Sequence, residues 1–239
     1  MNKQVFAVAS LMSLYSVGAH AISLTPDLDL ALKPAIVSDY RSNGISASSN
    51  HEALQFEGTL MHSSGWLAGV WASHVDYDTK TRLEEGGYAG YYHAFTPEIS
   101  VLGTIGHYIY PKNSTYAVKE FYGLVKAYGF SYSFIYDYQM DGVPNVKYQY
   151  LGYTFDLPYE STLLVEYGHH DVGLDLYSAS GQTRSYYQTK KLSLAKKAFG
   201  IDWTASFIDT DMSKTECLYY QGQDDVCSAT MVFGASKSF

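Results

Sequence analysis

Between Phe130 and Gln139 the chain alternates almost without error, with Phe130, Tyr132, Phe134, Tyr136 and Tyr138 on one side and Ser131, Ser133, Asp137 and Gln139 on the other. A repeat of two is the signature of a strand with one apolar and one polar face. Ile201, Trp203, Ala205 and Phe207 repeat the design against Asp202, Thr204 and Ser206. A soluble sandwich also alternates, so the length and number of such segments decide what they build.

Segments of the roughly 9 to 11 residues that a tilted strand needs to cross a bilayer occur at about 28–38, 53–63, 66–76, 84–94, 99–109, 119–128, 130–139, 146–156, 161–170, 186–197, 201–209 and 230–239. Some connections are tight, as at Ser64-Gly65, Gly129 and Ala198-Phe199-Gly200. Others are long and polar, running from Asp39 to Glu52, Asp171 to Arg184 and Thr210 to Ala229. Short turns on one rim and long loops on the other characterise outer-membrane barrels. The expected fold is all-β: a closed antiparallel transmembrane β-barrel of about twelve strands, with short periplasmic turns and longer external loops. The strand before Ser63 and those after Trp66 and Val146 alternate poorly, so their facing stays open.

Composition points the same way. The chain holds 24 Tyr, 11 Phe and 3 Trp, the residues that form aromatic belts at both membrane interfaces. Its 20 Gly and 6 Pro disfavour helix. At the start, Met1-Asn2-Lys3, an apolar run from Val5 to Val17 and then Ala19-His20-Ala21 have the layout of a secretory signal peptide. The expected division is therefore a signal over 1–21 and an outer-membrane barrel domain over 22–239. Beyond the signal no stretch approaches the roughly 20 apolar residues of a spanning helix. The formal charge of −8 argues against nucleic acid as a partner.

The end of the chain places Met231, Phe233, Ala235, Lys237 and Phe239 on one face of a last strand. This resembles the C-terminal signature read by the barrel-assembly machinery, with Phe233 and the terminal Phe239 as its aromatic positions. Cys217 and Cys227 are the only cysteines and share one external loop, so an oxidising compartment is expected to join them. The histidines are scattered, and His169 and His170 point to opposite faces of their strand. Neither a metal site nor a cofactor is expected.

Where alternation is clear, Glu57, Glu120, Lys126, Asp137, Glu166 and Asp202 fall opposite the apolar face. Against lipid each would cost several kcal/mol, so they are the lumen-lining candidates. Five carboxylates against one ammonium imply a modest preference for cations.

Val37-Ser38-Asp39-Tyr40-Arg41 with Gly44-Ile45-Ser46, the run from Ser63 to Ser73 with Val75-Asp76, and Ser236-Lys237-Ser238-Phe239 resemble the TorF porin family. The likeness is clearest over 35–140 and at the C-terminus, and Asp39, Tyr40, Arg41 and Gly44 are its motif positions. It implies an outer-membrane barrel with porin-like activity, passing small hydrophilic solutes through a bilayer of outer-membrane lipid. Two other classes remain open. One is a barrel enzyme acting on lipid like the twelve-stranded outer-membrane phospholipase, which needs a Ser nucleophile, a His and a residue to orient it. The other is a sealed structural or adhesive barrel whose external loops do the work.

Overall fold

The computed structural model describes residues 21–112, 117–139 and 144–239. The expected signal lies outside the described residues except for Ala21. In chain order the elements are β1 (Ile22–Thr25), β2 (Leu28–Val37), β3 (Arg41–Ser42), β4 (Ile45–Ser46), β5 (Ala53–His62), β6 (Trp66–His74), β7 (Leu83–Ala94) and β8 (Ile99–Ile109). There follow β9 (Val118–Ala127), β10 (Phe130–Tyr138), β11 (Val146–Leu157), β12 (Ser161–Tyr177), β13 (Thr183–Ala198), β14 (Ile201–Thr210), α1 (Lys214–Gln221) and β15 (Thr230–Ser236).

Strands β5 to β15 pair antiparallel with their chain neighbours, and β2 pairs with both β5 and β15. That double pairing closes a twelve-stranded antiparallel barrel. All twelve segments anticipated from the alternation are its staves. No helix among the described residues is long and apolar enough to cross a membrane.

Alternation sets the two faces. Outward stand Leu54, Val70, Ile105, Val125, Leu151, Val165, Leu192 and Phe233, all exposed, Ile105 at 60%. Such a continuous apolar surface is excluded from a soluble monomer and fits a hydrocarbon surround. Aromatic side chains edge it at the short-turn rim, where Trp66 packs on Tyr91 and Phe130 on Tyr153 with centroids 5.2 and 4.6 Å apart. Tyr128-Gly129, Tyr159-Glu160 and Phe199-Gly200 turn with positive φ at both residues, the twist-matched two-residue hairpin geometry.

Three expectations for the other rim are corrected. The span Asp171 to Arg184 is largely strand, because β12 and β13 continue as a hairpin to Tyr177 and Thr183 after a register shift between Asp171 and Leu176. This extension gives α1 a wall, with Val172 and Leu176 buried against Cys217 and Tyr220. The span Thr210 to Ala229 is partly helical, because Ser213 and Glu216 form a reciprocal capping box and Gly222 ends the helix in the left-handed region. The span Asp39 to Glu52 is not an external loop. It turns down into the barrel.

A charge placed in the outward band tests the assignment of faces. Ile105→Arg, at mid-strand, is expected to lower folding stability in a bilayer by about 2–4 kcal/mol, whereas Lys119→Arg near the rim changes it by a few tenths. Urea titration of protein folded into vesicles measures both, and a neutral Ile105→Arg would contradict the facing.

Candidate functional site

The inward-turned segment is built around a β-hairpin. Arg41 pairs with Ser46 and Ser42 with Ile45, and Asn43 and Gly44 between them have φ of 51° and 84°. Asn-Gly suits this turn because both residues tolerate the left-handed region. Gly44 is required on a second count: a Cβ there would stand 2.5 Å from Thr189 Cγ2 on the wall.

Asp39 and Arg41 hold the segment in shape. Arg41 Nε donates to Asp39 Oδ2 at 2.6 Å, Nη1 to the carbonyls of Gly44 and Ser228 at 3.1 and 2.9 Å, and Nη2 to Asn50 Oδ1 at 2.8 Å. The other Asp39 oxygen accepts from Ser46 Oγ at 2.5 Å and Ser48 Oγ at 3.2 Å. Both charges are buried and fully engaged, the condition under which a buried pair is tolerated.

Further bonds tie the segment to the wall. Tyr40 Oη donates to Glu84 Oε1 at 3.1 Å, and Glu84 also accepts from Trp71 Nε1 at 2.8 Å and Tyr110 Oη at 2.9 Å. Tyr150 Oη donates to the Asn43 side chain, and Tyr187 Oη to the Asn43 carbonyl at 3.0 Å. From above, the Ser46 amide donates to the Val226 carbonyl at 2.9 Å. Cys217 and Cys227 are disulfide-bonded, with Cα atoms 5.9 Å apart, so the segment's upper anchors at 226–228 lie in or beside a cross-linked loop.

The packing around these bonds is dense. Tyr40 and Ala47 join Tyr77, Tyr108, Tyr110, Tyr122, Tyr148 and Tyr150 in one buried cluster inside the barrel. Glycines make room for it: a Cβ on Gly86 of the neighbouring strand, or on Gly106 of the same strand, would meet the Tyr108 ring at 2.4 or 2.9 Å. On its long-loop side the barrel is therefore filled by its own chain. The segment 38–52 is a plug.

The sequence-read charges divide into two levels. Glu120 and Asp137 are directly opposed across β9 and β10 and wholly buried with the plug cluster. Glu120 Oε2 and both Asp137 oxygens make no hydrogen bond to a described residue. The other four lie lower, towards the short turns. Glu57 accepts from Tyr88 Oη at 2.7 Å, and Glu166 stands 4.0 Å from Lys191. Asp202 is opposite Lys197, and Lys126 opposite Ser100 and Ser131.

Register adds inward residues that the sequence reading did not place. Lys33 pairs with Glu57, Asp29 with Met61 and Lys191 with Glu166. The lower lumen thus carries Asp29, Glu57, Asp156, Glu166 and Asp202 together with Lys33, Lys126, Lys191 and Lys197. The carboxylate excess behind the expected cation preference shrinks there to one. Of the two adjacent lysines left open, Lys191 points in and Lys190 out. Asn43, the plug's wall contact, was also missed, although Asn-Gly is a strong hairpin signal.

Among the described residues no cluster of His, Cys, Asp or Glu is arranged to hold a metal. His62 Nδ1 and Ser64 Oγ are 2.7 Å apart in an exposed turn where the Ser64 amide also donates to His62 Nδ1. That arrangement caps a turn.

Taken together, fold and lumen define a porin-like barrel: twelve closed antiparallel strands, an apolar outside and a charged, partly filled inside. The chain belongs to Gcw_chp, a family of bacterial proteins of unknown function whose model matches residues 25–239. No curated protein matches the sequence. Solved porins share its architecture. The KdgM porin superposes with a TM-score of 0.54 at 12% identity, over 87% of this chain and 99% of that one. The NanC porin gives 0.52 at 12%, over 87% and 97%. A further structure, of the KdgM porin in complex with disordered oligogalacturonate, gives 0.51 at 11%, over 88% and 98%.

The cap over the plug has a defined pH response. Arg184 Nε and Nη2 donate to the two Glu216 oxygens at 2.7 and 3.1 Å, and the Ser213 amide donates to Oε2 at 2.7 Å. Burial pushes the Glu216 carboxyl up, but these hydrogen bonds outweigh it and hold it below the usual range. A folded-state value below the unfolded one contributes stability above about pH 4.3, lost as pH falls through the lower folded value. Protection of the α1 amides against exchange is therefore expected to hold from pH 7 to about 5 and to weaken only below about 4.3. Glu216→Gln should weaken it at pH 7 and remove this pH response, and protection insensitive to the change would contradict the role.

Proposed function

We propose that this protein is an outer-membrane channel for small hydrophilic solutes, closed in the conformation described by its own plug. The observation that carries the reading is the division of the lumen. A charged, water-compatible lower half leads to a plug held by hydrogen bonds and one ion pair, all of which can break without breaking the wall. Twelve strands lie between the side-chain-filled eight and the open sixteen, so the bore admits either a packed or an open lumen. The TorF likeness at Asp39, Tyr40, Arg41 and Gly44 supports the same reading, because those residues build the plug.

Export by the signal over 1–21 and assembly directed by Phe233 and Phe239 belong to this proposal. Phe233 faces outward beside the seam, and Phe239 exchanges backbone hydrogen bonds with Leu32 at 3.1 and 3.0 Å. With acidic and basic groups interleaved below the plug, the favoured solutes are uncharged or zwitterionic. The solved porin with an oligogalacturonate makes short saccharides a reasonable first probe.

The tyrosine-rich packing around the plug favours the sealed barrel as a second reading, and one experiment separates them. Arg41→Ala leaves Asp39 buried without its cation, a loss of about 3–5 kcal/mol and enough to raise a minor open state more than tenfold. Vesicles holding wild-type protein are expected to swell slowly in neutral sugars, and vesicles holding Arg41→Ala at least about tenfold faster. Equal absence of swelling from both, with the variant folded and inserted, would favour the sealed barrel.

A further inference from the structure

Inside the barrel, at the level of the plug, Glu120 on β9 and Asp137 on β10 stand directly opposite each other and wholly buried. Residues so opposed in an antiparallel pair have Cα atoms about 4.5–5.5 Å apart, so the two carboxyl groups share one small space. Glu120 Oε2 and both Asp137 oxygens make no hydrogen bond to a described residue. Among the described residues neither carboxyl belongs to an ion pair. Lys119 and Lys147 stand on the outward faces of their strands, with Lys119 Nζ donating to Gln139 Oε1 at 2.6 Å. The stretches 113–116 and 140–143, next to these strands in the chain, contain no basic residue.

The titratable groups that face the pair are acidic or neutral. Glu84 comes from β7, Tyr108 from β8, Tyr122 from β9, Tyr148 and Tyr150 from β11, Tyr220 from α1 and Tyr40 from the plug. Glu84 is already engaged by three donors, and a tyrosine carries no charge at pH 7. His170 on β12 lies beyond Tyr148, with ring centroids 5.4 Å apart and its Nε2 2.9 Å from Thr189 Oγ1. Two carboxylates that share a dry space cannot both stay ionised without a cation. A protonated carboxyl is a hydrogen-bond donor. One proton therefore turns a repelling pair into an O–H···O hydrogen bond and supplies the partner that the rest of the cluster does not.

We propose that Glu120 and Asp137 form a proton-operated latch: closing the plug traps at least one proton on the pair, and opening releases it. The gating role rests on the channel reading above, whereas the trapped proton does not. Tyr40 and Ala47 of the plug pack in the same buried cluster as Tyr122, Ile135, Val146 and Tyr148, the inward neighbours of the pair. Withdrawing the plug lets lumen water reach both carboxyls, which then ionise as ordinary acids with midpoints about pH 4. The closed state thus binds more protons than the open one. Its advantage is greatest in acid and falls about tenfold per pH unit for each proton released, so acid closes the lumen and neutral solution opens it.

Two measurements test the latch. Infrared difference spectra at pH 7 between the wild type and Glu120→Gln with Asp137→Asn are expected to show the C=O stretch of a protonated carboxyl in the wild type alone, and its absence from folded wild-type protein would overturn the proposal. Swelling of phospholipid vesicles in a neutral sugar is expected to speed up about tenfold per pH unit from pH 5 to 7 for the wild type, while the open state is the minor one. The double variant, whose neutral amides keep the plug seated, should swell slowly at every pH. A flat wild-type profile, an unchanged slope in the double variant, or faster swelling in acid, the sign that His170 would give, would each overturn the latch. Protein with residues 40–48 replaced by a short Gly-Ser connection should swell fast throughout. If it too is impermeable, the channel reading falls and the gating role with it, while the infrared band still decides whether the pair holds a proton.

Discussion

Everything in this structure depends on closing the backbone ladder between β15 and β2. In hydrocarbon no water is available to an unpaired amide, so an open edge costs several kcal/mol for each group left bare. The seam is the thinnest part of the wall, because β15 pairs directly with β2 only from Ala35 to Val37. Two short pieces complete it. Residues Lys237 and Phe239 continue the ladder to Pro34 and Leu32, and β1 covers Leu28 to Leu30. Pro34 sits at this seam with its carbonyl turned towards Lys237. Its missing donor therefore falls on the edge with the least regular pairing, where a proline is best tolerated.

Closure creates a second problem, since twelve strands enclose a space that must be filled with side chains, water or chain. Here the two halves solve it differently. Below, interleaved carboxylates and ammonium groups make a surface that water can wet. Above, an Asn-Gly hairpin brings Tyr40, Asn43 and Ala47 into a cluster of wall tyrosines, and Asp39 with Arg41 satisfies the polar groups this buries. Because Arg41 also reaches the Ser228 carbonyl, the plug is coupled to the disulfide-braced cap. The filled half and the external loops thus form one unit standing in the mouth of the barrel.

The wall was legible in the sequence and the filling was not. Period-two alternation is local, so Phe130 to Tyr138 declares its own inside and outside, and twelve such stretches sufficed to count the staves. That same periodicity is what reads Glu57, Glu120, Lys126, Asp137, Glu166 and Asp202 as inward. Lys191 was beyond reach because adjacent lysines occupy both faces of its strand, and only its pairing with Glu166 fixes its facing, whereas Lys33 was legible in the alternation of Leu28, Leu30 and Leu32 with Asp29 and Lys33. Whether a polar loop stands in solvent or folds into a lumen depends on contacts more than a hundred residues apart, such as Tyr150 to Asn43. The Asn-Gly turn and the Ser213/Glu216 capping box were local signals of a hairpin and a helix. Neither could say what the element would pack against.

Single-channel recording in planar bilayers tests the central claim most directly, comparing the wild type with a variant in which residues 40–48 are replaced by a short Gly-Ser connection. A plugged channel predicts rare, brief openings for the wild type and long-lived discrete conductance steps for the variant. Inserted variant protein that remains electrically silent would contradict the account, since removal of the plug would then have opened no path.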